Sequence, residues 1–63
     1  MKDLKKITIT LDENKAWDLA QFFKRITWNG VSECAVDKAE TQSMIDVIEN
    51  ARDQMAKQGI SPR

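Results

Sequence analysis

Apolar and polar positions alternate from Lys5 to Leu11. Ile7, Ile9 and Leu11 fall on one face, and Lys6, Thr8 and Thr10 on the other. A period of two is that of a β-strand, so a strand is expected over about residues 5–11. Beyond it the period lengthens. Ala16, Leu19, Ala20, Phe23 and Ile26 recur at three- and four-residue steps. That is the stripe of an amphipathic helix. Trp17 lies at one margin of the stripe and Phe22 at the other, so the apolar arc is broad. Such an arc suits a helix that touches both its own second helix and another subunit. Met44, Val47, Ile48, Ala51 and Met55 repeat the 3-4 spacing in the second half.

Local signals place the ends of these elements. Thr10-Leu11-Asp12-Glu13 fits a capping box with Thr10 as N-cap. Asp12 fits equally well as a simple N-cap. Helix one is therefore expected over about residues 12–27, with Asp12 and Glu13 at its positive end and Lys24 and Arg25 at its negative end. Asn29-Gly30 reads as a stop. Residues 28–36 form a connector, in which Ser32 can cap a short helical turn through Ala35. Asp37-Lys38-Ala39-Glu40 is a second capping-box pattern and opens a helix over about residues 37–58. Gly59 is a C-cap and Pro62 lies just beyond it. Met1 to Leu4 reads as a short frayed lead.

The expected fold is α+β, mainly α: a single domain over residues 1–63, with one N-terminal strand followed by two helices. A lone strand leaves its N–H and C=O groups without partners. The simplest partner is the same strand of a second copy, so strand pairing is expected between subunits. A homodimer through Lys5–Leu11 follows. Small domains lean on disulfides, metals or a second subunit. The chain has one cysteine, Cys34, and no histidine. No internal disulfide can form, and a zinc site is not expected. Oligomerisation is the remaining device.

Charge narrows the partners only a little. Ten Lys and Arg balance ten Asp and Glu. Residues 1–28 carry six basic and four acidic side chains, hence +2, and residues 29–63 carry four and six, hence −2. A basic N-terminal surface is allowed, but the asymmetry is milder than in most nucleic-acid binders. No apolar run approaches the length of a membrane span, and no signal peptide is visible. A cytoplasmic protein with a reduced Cys34 is expected.

No catalytic residues, cofactor or metal site are expected. The usual nucleophile–base pairings are missing from a chain without histidine. Asp46, Glu49 and Asp53 read as a solvated helix face, and Cys34 as a small packing residue. The aromatics Trp17, Phe22, Phe23 and Trp28 share one short window. Core and dimer interface account for most of them. The functional reading is that Trp17 or Trp28 anchors a foreign partner, because Trp is enriched in binding hot spots.

Two resemblances accompany these readings. Lys5 to Leu19 resembles the opening of ribbon-helix-helix repressors, and Gly30-Val31-Ser32 resembles the Gly-x-Ser that begins their second helix. The resemblance implies a dimer whose paired strands enter the DNA major groove, with Lys6, Thr8 and Thr10 contacting bases. The whole chain also resembles short accessory proteins of phages and other mobile elements. The shared features are Ala16-Trp17, Leu19-Ala20-Gln21-Phe22, Lys24-Arg25, Ala35-Val36-Asp37, Glu40, Met44 and the ending Gly59-Ile60-Ser61-Pro62-Arg63. These have no assigned activity, so the resemblance implies a mobile-element origin and not a mechanism; binding to a host protein complex enters by analogy with other small accessory proteins of such elements.

The leading expectation is therefore a non-enzymatic interaction protein that occludes a host protein surface, as an anti-CRISPR-like inhibitor of a defence complex does. Trp17, Trp28, Asp37, Glu40, Asp46 and Glu49 are its candidate contacts, the acidic groups standing in for phosphate. The alternative is a dimeric repressor reading DNA through Lys6, Thr8 and Thr10.

Overall fold

The computed structural model describes residues 3–62, and it is all-helical. Three helices follow in order: α1 at Glu13–Arg25, α2 at Trp28–Glu33 and α3 at Lys38–Lys57. No strand is formed among the described residues, which corrects the α+β expectation. Residues 5–11 form an irregular arm before α1 instead. The physical reason is the one that made the segment conspicuous. A strand exists through a hydrogen-bonded ladder, and a single copy offers no second strand. The alternating pattern remains without the ladder. The expected fray at Met1 and Lys2 lies outside the described residues.

Asp12, not Thr10, starts α1. Its backbone is extended, and its carboxylate accepts the Lys15 amide at 2.8 Å. The helix stops two residues earlier than expected, because Ile26 turns to extended backbone while its amide still donates to the Phe22 carbonyl at 2.9 Å. Thr27 then restarts helical structure. Its hydroxyl accepts the Gly30 amide at 3.1 Å, as an N-cap side chain does. Most of the expected connector is therefore helix α2. Asn29 and Gly30 lie within α2 rather than ending a helix. Thr27 overrides them by satisfying an amide that the turn would otherwise leave open.

The start of α3 matches the expected pattern with one change. Asp37 accepts the Glu40 amide at 2.8 Å, but Glu40 reaches back to the Val36 amide at 3.1 Å, one residue before the cap. At the other end Gly59 takes φ +86°. Its amide donates to the Ala56 carbonyl and the Ile60 amide to the Met55 carbonyl, both at 3.0 Å. These two bonds define a Schellman cap, which needs a left-handed residue where Gly59 stands.

α3 is the spine, and both α1 and α2 pack against it. Few residues are fully buried: Ala16 and Ala20 on α1, Val31 on α2 and Thr41 on α3. Two alanines four apart on one face let α1 come close to α3. Thr41 is buried because its hydroxyl is satisfied within its own helix, donating to the Asp37 carbonyl at 2.9 Å. Leu19, Phe23, Ile26, Met44, Ile48, Ala51 and Met55 follow the expected stripes but are only half-buried. Val47 leaves its stripe and is exposed.

The body measures 33 × 29 × 15 Å. The Cα cylinder of an α-helix is about 4.6 Å across and packed axes lie about 8–10 Å apart, so the shortest dimension holds no more than two packed helices. Its radius of gyration is 12.8 Å, against about 10.6 Å for a compact chain of this length. Among the described residues no helix is long and apolar enough to cross a membrane.

Candidate interaction surface

Two apolar features stand out, one near each end of α1. The first is the arm. Ile7 is 81% and Ile9 69% exposed. Lys6, Thr8 and Thr10 are exposed as well. The root of the arm, Thr8 to Leu11, borders a cleft formed with Trp17 from the start of α1 and with Met55 and Ile60 from the end of α3. Trp17 is half-buried there. It serves this seam rather than standing free.

The second feature is a groove of about 380 Å³ where the last turns of α1 meet α2 and the first half of α3. Phe22, Phe23 and Ile26 form one wall, with Met44, Val47 and Ile48 opposite. Its lining is almost entirely apolar; Glu40 and Ser43 supply the polar side chains at its edge. Phe22 and Phe23 meet with ring centroids 6.0 Å apart and planes tilted by 60°, an offset aromatic pair. Phe22 is 56% and Val47 65% exposed. Cys34 lines the same groove and is exposed, not packed away as expected.

The candidate contacts named from sequence do not form one cluster. Trp17 belongs to the cleft by the arm, and Trp28 opens α2, 47% exposed. Asp37 and Glu40 are occupied in capping the start of α3. Asp46 accepts from the Gln42 side-chain amide at 2.9 Å, and Glu49 is exposed on the same helix. Asp53 faces Lys57 at 3.3 Å, both largely exposed, a pairing of little energetic weight. The acidic groups are thus strung along α3, two of them held by local backbone bonds.

Sequence reasoning treated Phe22 as a margin of the α1 stripe and Val47 as part of the α3 stripe. It did not foresee that the two would face each other across an open groove. The signal was present in the adjacent pair Phe22-Phe23, which points apolar side chains in two directions and cannot bury both against one neighbouring helix.

Residues 1–63 match the model of a family of unknown function, DUF7706, and the chain belongs to that family. No curated protein and no solved structure matches it.

Proposed function

We propose that this DUF7706 member is a non-enzymatic interaction protein of phage or mobile-element origin that binds and blocks a host protein, such as a component of a defence complex. The observation that carries this reading is Trp28. A large aromatic side chain stands 47% exposed on the first residue of α2. Thr27 caps that helix and Val31 anchors it in the core. An exposed Trp held on a capped and anchored helical turn is the chemistry of a binding hot spot. Asp46 and Glu49 add acidic groups along α3, suited to a basic surface on a nucleic-acid-binding partner. Association of two copies through Lys5–Leu11 belongs to the same reading.

The test places a photo-crosslinking amino acid at position 28 of the full chain in its host. The expected result is a covalent adduct with one reproducible host protein. Trp28→Ala in the purified chain should weaken binding to that protein about tenfold or more. Failure to form a specific adduct at position 28 would count against the reading.

A second reading, a DNA-binding repressor, is favoured by one observation: Lys6, Thr8 and Thr10 are all exposed on the arm. A mobility shift on DNA upstream of the protein's own gene, run at low and physiological salt, separates the two. A shift weakened by Lys6→Ala and Thr8→Ala would favour the repressor.

A further inference from the structure

The accessible surface is 5705 Å². A folded chain of this mass is expected to expose about 4100 Å², which leaves an excess of about 1600 Å². Homodimers whose subunits depend on each other bury about 2000–5000 Å² over both partners, so the excess is of the size one such interface removes from each copy. Among the described residues only Ala16, Ala20, Val31 and Thr41 are buried, so one copy closes little core by itself.

The two exposed apolar features complement each other. The groove wants apolar side chains and has almost no polar lining. The arm presents Ile7 and Ile9 on one face and Lys6, Thr8 and Thr10 on the other. Laid out as an extended chain, Ile7 and Ile9 project about 6.6 Å apart. Residues four apart on a helix are separated by about 6 Å along its axis. Phe22 and Ile26 on one wall, and Met44 and Ile48 on the other, have that separation in sequence. The arm therefore matches the repeat of the groove while leaving its polar face to water.

The arm does not fill the groove of its own chain. Its root borders the cleft beside the first turn of α1 and the end of α3, with Ile9 still 69% exposed, whereas the groove opens beside the last turns of α1. In a two-fold pairing with the copies antiparallel, an arm-in-groove contact made once is made twice, because the symmetry repeats it. We infer that the Lys5–Leu11 arm of one copy docks in the Phe22–Ile26–Val47 groove of a second copy, reciprocally. This rests on the self-association proposed above and specifies its contact.

Light scattering on the full chain over a dilution series is the first measurement, with a dimer expected. Ile9→Glu and Val47→Glu, both at exposed positions, should each raise the dissociation constant about tenfold or more. Circular dichroism should show each still helical. Val36→Glu, on the exposed turn before α3, should leave the dimer unchanged. Crosslinking then fixes the contact. A chain carrying Ile9→Cys and Cys34→Ser is mixed with wild-type chain and oxidised. A disulfide between position 9 of one chain and Cys34 of the other supports the docking. A monomer at all concentrations overturns both the dimer and the docking. A dimer that links only position 9 to position 9 overturns the docking and leaves self-association standing.

Discussion

A Cβ placed on Gly30 would lie 3.0 Å from the Cδ1 of Ile26. The gap between α1 and α2 is therefore closed by the absence of a side chain at one position and the tip of a side chain at the other. Gly30 does not occupy a left-handed conformation, so alanine fits its backbone. Helical glycine costs about 1 kcal/mol relative to alanine. Ile26 borders the open groove, so its tip has room to turn aside. Gly30→Ala should stabilise the fold by about 0.5 kcal/mol, the propensity gain less the cost of moving Ile26. Urea titration checks the sign.

Gly59 should behave in the opposite way. Its φ of +86° is costly for a side-chain-bearing residue, although a Cβ there would meet nothing within 4 Å. Gly59→Ala should destabilise by about 1 kcal/mol through backbone strain alone. Gly59→Asn, which tolerates the left-handed region better, should lose less. Thermal unfolding of the pair separates strain from packing.

Asp37 is a cap before it is a contact. Removing its carboxylate in Asp37→Ala frees the Glu40 amide and should cost about 1 kcal/mol. Asp37→Asn keeps an acceptor and removes the charge, so most of the stability should remain. Partner binding measured on Asp37→Asn therefore reports on charge without the loss of the α3 start.

Thr41 is buried, and its hydroxyl shares the Asp37 carbonyl with its own backbone amide, at 2.9 and 3.0 Å. Thr41→Val preserves shape and leaves that carbonyl with its helical bond. The expected loss is below about 1 kcal/mol, because no buried partner is orphaned. Denaturant midpoints compared at constant slope give the measurement.

Features of the fold fixed by neighbouring residues were readable from the chain. Asp12, Asp37 and Gly59 act where their types suggest, because a carboxylate three residues before an amide, or a glycine after a helix, needs no distant partner. Features that depend on distant groups were misread. Ile7, Ile9 and Leu11 alternate as a strand does, but a ladder needs a second strand that one copy does not supply. Asn29-Gly30 looked like an ending because both tolerate left-handed backbone, and Ser32 rather than Thr27 was read as the cap of the turn that follows. For the surface, Trp28 was visible as a candidate contact. The groove was not, since it is lined jointly by residues of α1, α2 and α3, Phe22 and Val47 among them, a relation no local pattern encodes. Asp37 and Glu40 carry the charge expected of contacts, yet their carboxylates are turned onto backbone amides.

The buried side chains among the described residues are few and small, so little of the backbone lies deep beneath other side chains. Protection against hydrogen exchange then depends on how often each helix frays, not on a rare opening of the whole molecule. α2, with six residues and a single side-chain cap, should be the first to exchange in a hydrogen-exchange measurement. The middle of α3, flanked by both other helices and closed at each end, should be the last.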